Sequence, residues 1–124
     1  MTEDRFEDLE VWRDALNLTH DIYRESARRT FGRDFALRDQ IRRAAISVVS
    51  NIAEGFESRT DRLFIDFLGR AKASAGEVRA QLHLAHRLGY LDDEVRCQLV
   101  ARASSISRQL AGLMKYLARC HKPE

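Results

Sequence analysis

Gln40-Ile-Arg-Arg-Ala-Ala-Ile-Ser-Val-Val-Ser-Asn-Ile-Ala-Glu-Gly-Phe56 is apolar on almost every side of a helix. On a helical wheel Leu37, Ile41, Ala44, Val48 and Ile52 form one stripe, and Ala45, Ile46, Val49 and Ala53 carry the apolar surface round the far side. A helix in a small domain normally keeps one wet face. The run therefore predicts a cover beyond an ordinary intrachain core. Ser47, Ser50, Asn51 and Glu54 interrupt it, and such groups must be hydrogen-bonded where they are buried or else belong to a site.

Outward from this run, the helical period continues in both directions. Leu9, Trp12, Leu16, Thr19 and Tyr23, with Ala15, Leu18 and Ile22 alongside, predict a first helix over about residues 8–28. Gly32 sits in the turn that follows, and Asp34 is a natural N-cap for a second helix to about residue 57. The cap-forming Ser58, Thr60 and Asp61 open a third helix over about 61–88. Its core face reads Phe64, Phe67, Leu68, Ala71, Ala75, Val78, Leu82 and Ala85, and Gly89 is placed to end it. Asp92, Asp93 and Glu94 put negative charge on the first turn of a fourth helix over about 93–120. Val95, Leu99, Ala103, Ile106, Leu110, Leu113 and Leu117 then follow bundle-seam steps of three and four. The only proline is Pro123, so nothing in the body breaks long helices, and strand alternation is absent. The pattern predicts one all-α domain over 1–124, an up-down-up-down antiparallel four-helix bundle.

Composition agrees with that class. With 124 residues, 44% hydrophobic and 32% charged, the chain is long enough for one core and has the balance of a soluble globular protein. The acidic N-terminus lacks the basic and apolar regions of a signal peptide, and no apolar run approaches a membrane span. The expectation is a cytoplasmic protein with no membrane role. Cys97 and Cys120, on one expected helix, would stand roughly 35 Å apart, beyond disulfide reach, and read as free thiols.

Four pieces of sequence, in order, carry a resemblance. They are Phe6-x-x-Leu9-x-Val11-Trp12-x-x-Ala15; Gln40-Ile41-Arg42-Arg43-Ala44-Ala45-x-Ser47; Ser50-Asn51-Ile52-Ala53-Glu54-Gly55; and Ala85-x-x-Leu88-Gly89-Tyr90-Leu91. Together they resemble the small four-helix-bundle proteins of the bacterial 23S rRNA intervening-sequence family. The resemblance implies a homo-oligomer, a pentameric ring in the family, and an association with RNA. Two positions depart from the family pattern: Val49 stands where a proline is frequent, implying a missing or milder bend in the second helix, and the first connection is short, with Gly32 in place of a proline.

Oligomerisation also has support from the residues themselves. Gly69, Ala73, Gly76, Ala80 and Leu84 share a stripe roughly opposite the core face of the third helix. Each glycine inside a helix costs about 1 kcal/mol relative to alanine, so two on one stripe ask for a reason. A head-to-tail ring needs one patch to meet a different patch. Ile46, Val49 and Ala53 against the third-helix stripe would satisfy that demand; the competing reading is a neutral, alanine-rich surface.

A net charge of +2 argues against a monomer that neutralises long nucleic acid. The distribution is less even, since no acidic residue occurs from Arg96 to Lys122. Arg108, Lys115, Arg119 and Lys122 cluster away from the core stripe, either as a nucleic-acid surface or as a solvated outer face. Arg24, Arg28, Arg29 and Arg33 gather at the end of the first helix, where cations also favour the helix dipole. Arg42 and Arg43 flank the apolar run and could contact phosphate, although pairing with acidic groups is the favoured reading.

Asn51 and Glu54, with Glu77 from the third helix, read as a structural hydrogen-bonded network ahead of a polar site. Carboxylate-bridged metal bundles use Glu-x-x-His pairs, which Glu54 and Glu77 lack, and His83 with His86 alone are weak ligands. Neither a catalytic triad nor a glycine-rich phosphate loop can be assigned, so no enzyme, cofactor, metal or small-molecule substrate is expected. The sequence reading is a homo-oligomeric binding or scaffold module with RNA as its partner. The alternative is a structural or protein-interaction oligomer with no nucleic-acid role.

Overall fold

The computed structural model describes residues 1–120. A single 3-10 turn at Phe6–Asp8 leads into helix α1 (Glu10–Ser26), and a second at Phe31–Arg33 leads into α2 (Phe35–Glu57); α3 (Asp61–Arg87) and α4 (Asp93–Cys120) follow. Helices adjacent in the chain pack side by side, and α4 closes back onto α1. Short connections force each neighbour to run antiparallel, which makes an all-α, up-down-up-down four-helix bundle. The α2–α3 and α3–α4 pairs share the longest contacts, while α1 is held more lightly.

The expected stripes on three helices are the buried ones. Leu37, Ile41, Ala44, Val48 and Ile52 of α2 meet Phe64, Leu68, Ala71, Ala75, Val78, Leu82 and Ala85 of α3 and Leu99, Ala103, Ile106, Leu110 and Leu117 of α4. Helix α1 differs. Its buried line is Val11, Ala15, Leu18 and Ile22, whereas Leu16 and Tyr23 are exposed. Both of its apolar lines offered enough surface for a core, and the one selected carries the smaller side chains. Helix α1 is also shorter than its expected span, because Leu9 is still extended and Ala27 closes the last turn. Beyond it Arg29 has a positive φ of 45°, so the chain leaves the helix sharply. Helix α2 runs unbroken through Val49, a residue that keeps the backbone N–H a proline would lack.

The connections are capped by specific groups. Asp34 Oδ1 accepts the Leu37 N–H at 3.1 Å, Thr60 Oγ1 the Leu63 N–H at 3.1 Å, and Asp92 Oδ1 the Val95 N–H at 2.8 Å. Helix α3 ends in a Schellman motif. Gly89, at φ +84°, donates to the His86 carbonyl, and the Tyr90 N–H donates to the Ala85 carbonyl. Tyr90 then stacks on Phe31 at 5.3 Å between ring centroids, and its hydroxyl donates to Asp34 Oδ2 at 2.8 Å. One aspartate therefore caps α2 and ties the first connection to the third. Its carboxylate holds the Tyr90 phenol above its usual range.

The α1–α4 seam is the polar one. Gln109 Nε2 donates to Asp14 Oδ2 at 3.0 Å and Arg102 Nη1 to Asp21 Oδ2 at 2.7 Å. The hydrogen bond from Arg102 lowers the Asp21 carboxyl below its ordinary 3.8, against the opposing effect of burial. A carboxyl that is more acidic in the folded chain contributes stability above its unfolded value and loses it as pH falls through the folded value. Both side chains are 38% exposed, so solvent screens the pair. Arg102→Met is expected to lower urea-unfolding stability by roughly 0.5 kcal/mol at neutral pH. Its effect should shrink as pH falls through the lowered folded value of Asp21 and vanish below it, where the carboxyl is protonated in both states. A mutational effect that stays constant with pH would assign Arg102 to packing alone.

Candidate nucleic-acid interface

Arg108, Lys115 and Arg119 are all exposed on the outer line of α4, together with Cys97, Ala101 and Gly112. Among the described residues no ion pair involves any of the three cations. Their charge therefore faces solvent uncompensated along the C-terminal half of the helix, where cations also favour the dipole. Lys122, expected on the same surface, lies outside the described residues. Cys97 and Cys120 are free and exposed on this helix.

Arg42 and Arg43 part company. Arg42 Nε donates to Ser26 Oγ at 2.8 Å and Nη2 to the Tyr23 carbonyl at 3.2 Å, with the guanidinium 4.5 Å from the centroid of the Tyr23 ring. It satisfies the C-terminal end of α1, so its partners are a hydroxyl, a carbonyl and a ring in place of the expected acid. Ser26, fully buried, is matched by this guanidinium. Arg43 is exposed, and a shallow hollow between α1 and α2 is lined by Tyr23, Asp39, Arg42, Arg43 and Ile46.

The other sequence-selected residues also separate. Ile46 is 43% exposed and Leu84 48%, and Ala73 and Ala80 are open beside Leu84 on the outer line of α3. Val49 packs against the core and Ala53 is half-buried, so much of the apolar run is covered within the chain by α1 and α3. Gly69 and Gly76 lie half-buried on the flank of α3 that faces α4. A Cβ at Gly69 would rest 3.6 Å from Met114 Cε, and one at Gly76 3.8 Å from Arg79 Nη2. These are ordinary contacts, so intrachain packing demands neither glycine.

The polar intruders form a smaller network than the one expected. Asn51 Nδ2 donates to the Ser47 carbonyl at 2.8 Å and to Ser47 Oγ at 2.9 Å, and Ser47 Oγ shares a hydrogen bond of 2.8 Å with Ser74 Oγ on α3. Glu54 and Glu77 are exposed and stand outside it; Glu77 instead accepts from Gln81 Nε2 at 3.3 Å, one turn along its own helix. Serine at position 74 is the member that sequence reasoning missed, because its partner on α2 is visible only once α2 and α3 are in register. His83 and His86 are engaged separately: His83 Nδ1 lies 3.4 Å from Arg96 Nη1 and His86 Nε2 3.6 Å from Asp93 Oδ1. Among the described residues no three His, Cys, Asp or Glu side chains converge as a metal site, and no described helix is long and apolar enough to cross a membrane.

A tight polar-capped bundle, with exposed cations unpaired among the described residues along the outer line of α4 and at other places on its surface, defines a small helical-bundle protein. Within that class, the chain belongs to the 23S rRNA-intervening sequence protein family, whose model matches residues 7–112. A solved structure similar to it is that of a protein of unknown function from the S23 ribosomal protein family of Bacteroides thetaiotaomicron VPI-5482. The two share a TM-score of 0.78 at 24% sequence identity, over 85% of this chain and 98% of that one. At that identity the likeness is one of fold. No curated protein matches the chain.

Proposed function

We propose that this chain is a non-enzymatic, homo-oligomeric bundle, a pentameric ring, that acts in the cytoplasm as an RNA-binding or scaffold module. The observation that carries the RNA reading is the row of exposed Arg108, Lys115 and Arg119, free of ion pairs among the described residues and repeated in every subunit of an assembly. The family's description as rRNA-intervening sequence proteins supports it. With a net charge of only +2 per chain, multiplication of this face around a ring supplies what a monomer lacks. Filter binding against rRNA fragments at several salt concentrations tests the reading. Affinity should fall steeply with salt as counterions are released, and weak binding insensitive to salt would count against it.

Assembly draws its support from Ile46 and Leu84, large apolar groups left open on two different faces, as a head-to-tail contact requires. Leu84→Glu is expected to reduce the mass seen by light scattering to that of a monomer at micromolar concentration. Its helical circular dichroism should be unchanged, because residue 84 makes no core contact. A wild-type protein that is already monomeric at that concentration would remove the ring.

A further inference from the structure

The cations of α4 have counterparts on α3. Two contacts fix the antiparallel register of these helices: Met114 Cε lies beside Gly69, and Arg79 Nη1 donates to Ser104 Oγ at 3.5 Å. In that register Lys72 stands level with Ala111, between Arg108 and Lys115 along the neighbouring helix. By the 100° step, Lys72 and Arg79 occupy the α4-facing flank of α3, and Arg108 and Lys115 lie on the part of the α4 outer face that leans toward α3. The two helices thus form a groove edged by four cations. Between them lie Gly69, Gly76, Ser104 and Ala111, with Met114 Cε beside Gly69 and the Arg79 guanidinium beside Gly76.

Acidic groups are turned away from this groove. After Asp66, the only acid within α3 is Glu77, which lies on the outer line and is held by Gln81; α4 has none beyond Glu94. No ion pair among the described residues includes Lys72, Arg79, Arg108 or Lys115. The Nε of Arg79 is buried without a hydrogen-bond partner, and its Nη1 is the atom held by Ser104. Aromatic side chains are turned away too: Phe64 is buried, Phe67 packs against Gly55 of α2, and Tyr116 accepts from the N-terminal amine.

That combination selects among nucleic acids. Single strands are held by stacking bases on aromatic rings, whereas duplex RNA is recognised by shape and by its phosphates and 2′-hydroxyls. We infer that the α3–α4 groove docks the sugar-phosphate backbone of double-helical RNA, with Lys72 and Arg79 extending the cation row of α4. This assignment rests on the RNA reading above and adds the surface, two residues and the strandedness of the partner.

Fluorescence anisotropy of the full chain with a labelled RNA duplex of about 16 base pairs, and with each of its single strands, tests it. The duplex is expected to bind more tightly than either strand. Lys72→Glu should weaken duplex binding about tenfold at about 0.1 M salt and reduce the salt slope by about 1. Arg33→Glu, an exposed charge reversal in the first connection, should leave duplex binding unchanged. Since Lys72 is exposed, its variant should retain the wild-type melting curve. Wild-type RNA binding that survives Lys72→Glu undiminished overturns the groove and leaves the RNA reading standing. Single strands bound as tightly as the duplex overturn the assigned partner. A wild-type protein that binds none of these RNAs at low salt overturns the RNA reading and the groove with it.

Discussion

Gly55→Leu is expected to abolish the folded bundle, and Gly55→Ala to destabilise it by about 1–3 kcal/mol in urea unfolding. Gly55 is buried in the last turns of α2, where the α2 backbone passes closest to α3. A Cβ there would lie 2.8 Å from Phe67 Cβ, 2.9 Å from Phe64 Cδ1 and 3.3 Å from the Phe64 carbonyl oxygen. Neither Phe67 Cβ nor a carbonyl can swing aside like the end of a flexible side chain. Relief therefore requires that the helices separate where Ser58–Thr60 connects them, and that separation would loosen Phe64 and its edge-on partner Phe56. In an unconstrained helix interior the same change to alanine gains about 1 kcal/mol, so any measured loss is net of that gain. A stabilised Gly55→Ala variant would mean that the two backbones have room to part without penalty.

The glycine that matters most for packing was legible only as a helix-weakening residue inside an apolar run. Its reason lies on α3, a partner that no period within α2 can name. The same holds for the polar residues of the family motifs. Arg42 closes the end of α1, Asn51 joins Ser47 and Ser74, and Tyr90 links Asp34 to Phe31, so these motif positions hold the fold together. The core stripes of α3 and α4 could be read directly, because each offers one dominant apolar line and burial follows it, and on α2 the expected stripe is buried although apolar residues continue round the helix. Helix α1 offers two. Its larger residues, Leu16 and Tyr23, end on the exposed side because α1 is the helix least enclosed by its neighbours. For the candidate site, Arg108, Lys115 and Arg119 were visible as an acid-free run. Lys72 and Arg79 were not, since they join the others only through the α3–α4 register. Local charge pattern shows one edge of a groove; packing supplies the second.

Replacing Arg108, Lys115 and Arg119 together with alanine is expected to weaken RNA binding by about 100-fold at about 0.1 M salt. Each phosphate neutralised on a duplex contributes about 0.9 to the slope of log affinity against log salt. Loss of three contacts should therefore flatten the slope by roughly 2.7 and leave a variant far less sensitive to salt than the wild type. None of the three side chains takes part in an ion pair among the described residues, and alanine favours helix, so stability should be unchanged or slightly raised. Arg42→Ala should behave in the opposite way. It removes the hydrogen bonds to buried Ser26 and to the Tyr23 carbonyl, which is expected to cost about 1–3 kcal/mol of stability, while RNA affinity at temperatures below its transition is preserved. The two variants remove positive charge from different faces, and of the four side chains only Arg42 is held by hydrogen bonds among the described residues of the fold. If both reduce affinity equally, binding follows total charge and no surface can be assigned. If the triple variant binds as the wild type does, the α4 face is a solvated exterior and the bundle is an oligomer whose role lies in its protein contacts.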